Sequence, residues 1–318
     1  MDEELSRLHE AGYAHSAIIR ETNRSAGTTP RLTESLKNRP PFFKKRGHCL
    51  KSSVWSHVMR PWILAETNFA HVKACEYQVA VLPMGATEPH NLHLPYGTDT
   101  FEAEAIGSRS CEAAWNQGAK VVLLPTIPYG TETNQSQCRL SMNLNPSTLA
   151  RVIQDLVESL EGHGIRKLLI LNSHGGNEFK PLLRELNGKT KVQLFLCDWF
   201  RGLTADVKKS IFKEADDHAG EIETSLGLAY FGHLVAKHSD GTLAADDGVT
   251  AETRLPAVNN GWVSITRPWH LLTTNTGAGN PHAATAEKGQ QLMEIMVERL
   301  SKFLVDLTNA ELDDRFPF

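Results

Sequence analysis

From Gln78 onward the chain alternates short, near-continuous apolar runs with longer amphipathic stretches, and this alternation constrains the fold more than any other feature. The runs are Gln78–Met84 (QVAVLPM), Val121–Pro125 (VVLLP), Lys167–Asn172 (KLLILN) and Val192–Cys197 (VQLFLC). A strand with one wet face alternates apolar and polar residues. These runs do not, so they read as strands covered on both faces. Between them a helical period occupies about Phe101–Gln117, Pro146–His163 and Phe179–Asn187. The middle stretch is sharply punctuated: Asn145 can cap it, Pro146 suits its first turn, and Leu149, Ile153, Leu156, Val157 and Leu160 share a face. Repeated strand–helix alternation gives parallel crossovers, so the expectation is an α/β fold with a mainly parallel sheet between helices. In such sheets ligands lie beyond the carboxyl ends of the strands.

Composition narrows the function classes. Hydrophobic residues make up 41% and charged residues 22%, enough apolar material for a substantial core. Against 33 Lys and Arg stand 37 Asp and Glu, a net charge of -4, without the basic excess of a nucleic-acid binder. The five cysteines form no C-x-x-C pair, and their odd number makes no disulfide framework, so a reduced, cytoplasmic setting is expected. No apolar run approaches the roughly 20 residues of a membrane span. Asp2, Glu3, Glu4, Arg7 and Glu10 interrupt any secretory signal. Residues 1–58 stand apart: ten basic and six acidic residues give +4, which leaves -8 for residues 59–318. Two expectations follow for this N-terminal extension. Either translation naturally begins at Met59, or a poorly ordered or short ordered arm precedes a single domain over 59–318.

Three segments carry chemistry. After the first run, Gly85–Asp99 (GATEPHNLHLPYGTD) sets Glu88 and Asp99 beside His90 and His93 at a strand end. Imidazole with carboxylate suits zinc, manganese or iron better than calcium or magnesium. After the third run, Asn172–Asn177 (NSHGGN) places His174 before two glycines, which read as a close backbone approach or as a phosphate cradle. The third segment is Asp216–Ser225 (DDHAGEIETS), with His218, Glu221 and Glu223. If a helix starts near Gly220, the two glutamates point about 200° apart, and either can line a site while the other serves the helix dipole. Glu88, His90, Asp99, His174 and one of these glutamates give five ligands. That number suits two ions about 3.5–4 Å apart sharing a carboxylate, with Asp99 the candidate bridge and a hydroxide between the ions. A metal-binding sensor or scaffold without catalysis is the competing class.

These three segments, in this order, resemble the metal-binding signatures of the creatininase (creatinine amidohydrolase) family, from about Arg60 to the C-terminal helix. The resemblance implies a three-layer α/β/α sandwich with a mainly parallel sheet and two divalent metal ions per subunit, zinc with manganese or iron as alternatives. It further implies hydrolysis of a C–N bond in a cyclic or linear amide by a metal-bridging hydroxide. A small-molecule amide substrate and a homo-oligomer, often a hexamer, complete the expectation, with no nucleic-acid or membrane partner. By position Glu88, His90, Asp99 and His174 match family metal ligands, Glu223 matches the remaining one, and His218 matches a catalytic histidine acting on the substrate or leaving group. Trp199 matches a tryptophan walling the substrate pocket. Where creatininases carry His-Tyr-Glu-Asn, Gly175 stands at the substrate-contacting tyrosine and Gly176 at a metal-site glutamate. A second pocket tryptophan has no counterpart in residues 213–217. The departures disfavour creatinine and lean toward the family's formamide-cleaving and peptide-cleaving branches.

Overall fold

All four apolar runs become strands of one parallel sheet. The computed structural model describes residues 59–213 and 216–318, so the expectations for residues 1–58 fall outside the described residues. In chain order the elements are α1 (Phe69–Ala74), β1 (Val79–Met84), α2 (Thr98–Asn116), β2 (Val121–Leu123), α3 (Pro146–Gly162), β3 (Lys167–Asn172), α4 (Lys180–Leu186) and β4 (Gln193–Asp198). Then follow α5 (Lys208–Ile211), β5 (Asp216–His218), α6 (Glu221–Tyr230), α7 (Pro256–Asn259), α8 (Trp269–Leu272), β6 (Ala278–Gly279) and α9 (Ala286–Asn309). Strand order is β2-β1-β3-β4, with Val79 opposite both Val121 and Lys167, and Lys167 opposite Gln193.

Successive side chains on a strand face opposite ways, and both faces are covered. Val79 and Val81 of β1 join Leu169 and Leu171 of β3 in one core with Ile106 of α2, Leu226 of α6 and Leu292, Met296 and Leu300 of α9. Ala80, Leu82 and Met84 join Leu168 and Ile170 in a second core with Leu149, Ile153, Val157 and Leu160 of α3 and Leu182 of α4. The result is the α/β/α sandwich that the alternation implied. Among the described residues no helix is long and apolar enough to cross a membrane.

Several boundaries differ from the periodicity. Asn145 precedes α3, but its side chain makes no cap; its Oδ1 accepts from Asn143 Nδ2 at 3.0 Å. The helix predicted from Phe101 begins at Thr98, because the Thr98 hydroxyl and amide both donate to Pro95 O and close the turn earlier. Asp99 therefore sits in the first turn of α2 and not in the loop. By contrast, α9 has a side-chain cap in Thr285, which accepts from Lys288 N. The antiparallel pair β5–β6 (His218 opposite Ala278) was not foreseen, being too short to show a period. Finally, α9 crosses α6 so closely at Gly289 that a Cβ there would lie 2.1 Å from Ser225 O. That crossing fixes α6, which carries Glu223.

Candidate metal centre

Beyond the carboxyl end of β1, the chain clears α2 only because residue 85 is glycine; a Cβ there would meet Thr100 at 2.5 Å. The loop then folds so that His90 Nδ1 lies 3.0 Å from Glu88 O, a carbonyl that can only accept. This places a proton on Nδ1 and turns Nε2 toward Asp99 Oδ1, 3.0 Å away. His174, beyond β3, uses its nitrogens the other way round. Its Nε2 lies 3.2 Å from Thr131 O and 2.7 Å from Glu132 Oε1, while Nδ1 faces Glu88 Oε1 at 2.9 Å and Asp99 Oδ2 at 3.0 Å. Asp99 thus gives one carboxylate oxygen to each imidazole.

The third segment completes the cluster. Between β5 and α6, Ala219 adopts a left-handed backbone (φ 53°), and its amide donates to Glu223 Oε2 at 2.5 Å. This turn brings both His218 and Glu223 into the site. Glu223 Oε2 lies 4.0 Å from His90 Nε2. Glu221 turns away: it accepts from Lys213 N at 2.8 Å and pairs with Lys288 of α9. Of the two glutamates, it is therefore Glu223 that the structure brings to the cluster and Glu221 that it joins to α9.

Donor atoms of Glu88, Asp99 and His174 lie within 4.8 Å of one another, as do those of His90, Asp99 and Glu223. The two sets share Asp99. A third set, Glu88, His90 and His218, overlaps both. Carboxylate oxygen and imidazole nitrogen are the donors that zinc, manganese and iron accept, so the residues present fit such ions.

Electrostatics follow from burial. Glu88, His90 and Asp99 are each no more than 1% exposed. Burial alone would raise the Asp99 carboxyl, but His90 and His174 at its two oxygens hold it far below the usual range. Glu88 is pushed well up by burial, with Glu132 and Asp99 adding to the effect and His174 opposing it. His90 and His174 are both held well above the usual imidazole value, because the surrounding carboxylates outweigh burial. His218 goes down to about 3, through burial and then the neighbouring His90. It is a neutral imidazole. Its Nε2 lies 3.0 Å from Pro89 O, which fixes the proton there and leaves the Nδ1 lone pair 3.9 Å from Glu88 Oε1. The ring packs on His90 at 4.2 Å and against the edge of Trp269 at 4.8 Å.

A cavity of about 370 Å³ opens over this cluster, lined by Glu88, Asp99, His174, Trp199, His218 and Glu223 among others. Trp199 does form part of the wall, with its indole N–H donating to Ser173 Oγ at 2.8 Å. Gly175 also lines the cavity, and a Cβ there would meet nothing within 4 Å. Gly176 is different: its Cβ would stand 2.4 Å from both His174 Nε2 and Thr131 O. Of the glycine pair, only the second is required by close approach.

Sequence reasoning missed the loop after β2. From it, Glu132 reaches His174, and Gln135 donates to Glu88 Oε2. It also missed Glu102, buried one turn beyond Asp99, which accepts from Ser173 Oγ at 3.2 Å. The strand-end rule, applied to β2 as it was to β1 and β3, would have singled out that loop.

A three-layer sandwich with buried carboxylate and imidazole groups gathered at the strand ends defines an α/β protein whose candidate site could hold a divalent metal. The family model described as creatinine amidohydrolase matches residues 65–304, and the chain belongs to the creatininase family. A mycofactocin precursor peptide peptidase of Mycobacterium ulcerans (strain Agy99) is 26% identical over 230 residues, covering 69% of this chain and 81% of that protein. A creatinine amidohydrolase of Pseudomonas putida is 27% identical over 249 residues, covering 70% and 87%. Among solved structures, a protein of Bacteroides fragilis NCTC 9343, named for the creatinine amidohydrolases, superposes with TM-score 0.73 at 33% identity, covering 80% of this chain and 99% of that one. Creatininases solved with manganese (TM-score 0.64, 20% identity) and in a zinc–zinc form (0.62, 22%) cover 79% of this chain and share its fold. The relatives are amidohydrolases and peptidases, and the chain is a hydrolase of C–N bonds.

Proposed function

We propose that residues 59–318 form a two-metal amidohydrolase. Glu88, Asp99 and His174 would hold one divalent ion, and His90, Asp99 and Glu223 the other. The observation that carries this reading is Asp99, which turns one oxygen to each donor set. Zinc is the first candidate, with manganese or iron as alternatives, in keeping with the ions named for the creatininases of the same fold. Bound there, such ions would supply Lewis acidity, lowering the pKa of a coordinated water toward ~7 and polarising the amide carbonyl.

The chain's own residues do the rest. His218, whose Nδ1 faces the cluster, would take the proton given up by the attacking water and pass it to the departing nitrogen. The amine requires that proton, since an amide anion is too basic to leave. Trp199 and Trp269 wall the cavity and limit water at the reacting bond. Gly175 leaves open space where creatininases carry tyrosine, which supports a formamide or short peptide over creatinine. Identity does not separate these branches, since the peptidase and the creatinine amidohydrolase stand at 26% and 27%. The enzyme would act in the cytoplasm as a homo-oligomer, a hexamer by family resemblance, with residues 1–58 an extension outside the catalytic domain.

The test is hydrolysis of cyclic amides, formamides and short peptides after reconstitution with zinc, manganese or iron, with metal counted on the same samples. Two ions per chain and turnover in one of these classes are expected. One ion or none at saturation refutes the two-metal reading.

A further inference from the structure

We propose that Glu132 is a positioning residue: its carboxylate orients His174 and supports one of the two donor sets and not the other. This rests on the two-metal reading above. Glu132 is fully buried, and the contact of its Oε1 with His174 Nε2 at 2.7 Å is its ion pair among the described residues. Neither carboxylate oxygen has a hydrogen-bond partner there, so the approach of Oε1 to His174 is a short-range charge contact. A buried carboxylate with a single partner is costly, and the fold builds this one deliberately. Glu132 N donates to Asn143 Oδ1 at 2.7 Å, and Thr131 N donates to Asn177 Oδ1 at 3.1 Å. The loop after β2 is thereby stapled to the same short motif that carries His174.

The glycine of that motif makes the approach possible. Any side chain at residue 176 would collide with His174 Nε2 and Thr131 O, the two atoms between which the loop must fit. A carboxylate cannot enter from position 176 in this packing, and one enters from position 132.

The consequence is an asymmetry between the two sets. His174 Nε2 bonds to the Thr131 carbonyl with the Glu132 carboxylate beside it, which places a proton on Nε2 and directs Nδ1 at Glu88 and Asp99. Among the described residues, the outer nitrogen of His90 meets the neutral carbonyl of Glu88 and no carboxylate. Gln135, from the same loop as Glu132, donates to Glu88. Two of the three donors in the Glu88, Asp99, His174 set are therefore held by this one loop. Partners of this kind fix ring orientation and tautomer, and their loss weakens metal binding roughly 10–100-fold.

The experiment uses the full chain, stripped with a chelator and retitrated with zinc against a chromophoric competitor. Glu132→Gln keeps the volume and an acceptor oxygen but removes the charge. One ion should weaken by roughly 10–100-fold, and the other should change by less than about threefold. In a His174→Ala background the same substitution should leave the remaining ion unaltered within about threefold, because its route of action is gone. Unchanged binding of both ions in Glu132→Gln, or equal weakening of both, overturns the proposal. A measurement on the unmutated protein stands independently of whether variants fold: nitrogen NMR of labelled histidine after loading with cadmium. His174 should coordinate through Nδ1 with Nε2 protonated, and coordination through Nε2 overturns the positioning role. A wild-type chain that takes up no ion fails earlier, at the two-metal reading itself, so the two failures are distinguishable.

Discussion

Replacing Asp99 by alanine tests the centre most directly, because the two donor sets have no other residue in common. Its Oδ1 lies 3.0 Å from His90 Nε2 and its Oδ2 3.0 Å from His174 Nδ1, so one substitution leaves each set with two donors. Glu223→Ala takes a donor from one set only. An ion at about 100 times its dissociation constant stabilises the folded state by about 2.7 kcal/mol, so two independent ions contribute about 5 kcal/mol. For a domain of this size each kcal/mol moves the melting temperature by about 2–4 °C, which puts the wild-type shift on zinc loading near 10–20 °C. Asp99→Ala should show almost none of it, and Glu223→Ala about half. The quantity to record is loaded minus stripped melting temperature within each variant, so that the cavity left by the shorter side chain cancels. Metal analysis of the same samples should give two, none and one ion per chain. An Asp99→Ala protein that retains two ions, or whose shift equals that of Glu223→Ala, refutes the shared-carboxylate argument.

His218→Ala should keep both ions yet lose turnover by roughly 10²–10⁴-fold, the usual worth of a positioned acid–base group; undiminished turnover removes it from the mechanism. His93 gives a pH signature of a different kind. Burial, then the nearby His90 and His282, push it down to about 4, and its Nε2 is engaged with Thr224 Oγ1 at 2.8 Å. The unfolded chain takes up this proton first as pH falls, so stability is complete above about pH 6.5 and declines by up to about 3 kcal/mol on the way to pH 4. Denaturant midpoints of wild type and His93→Gln between those limits should diverge in slope, and parallel curves contradict the assignment.

How far the sequence could be read depended on whether the cause of each feature was local. Strand β3 lies where its apolar run predicts, residue for residue, because a strand buried on both faces writes itself as an unbroken run. The start of α2 was placed three residues late, since the closing bonds come from the Thr98 hydroxyl and amide and not from apolar spacing. Glu88, His90, Asp99 and His174, which the structure brings together, could be singled out because each sits in a compact segment at a strand end. Glu221 and Glu223 were not separable by period alone; Lys288, far along the chain on α9, claims Glu221 and leaves the site to Glu223. Glu132 and Trp269 were invisible for the same reason. Each meets its histidine from a distant segment, and neither lies in a motif rich in histidine or glycine.

Protons and metal ions compete for the same cluster, and the directions of the shifts say which wins where. His90 and His174 are raised, so their pairing stabilises the stripped protein fully below about pH 6.5 and is lost as pH rises through their folded values. Glu88 is also raised and acts in the same sense, its contribution being complete below its ordinary value and lost above it. Asp99 is lowered, so its contribution is present above about pH 4 and is lost only in stronger acid. Near neutrality, then, each proton removed leaves buried carboxylates facing one another with less positive charge between them. The same removal frees the imidazole lone pairs and carboxylate charges that a divalent ion needs. Raising pH therefore weakens the stripped fold and strengthens ion binding together. The gap in melting temperature between zinc-loaded and stripped protein should widen between about pH 6 and pH 8. A gap that stays constant or narrows over that range would mean that the protons lie elsewhere than on the residues meant for the ions.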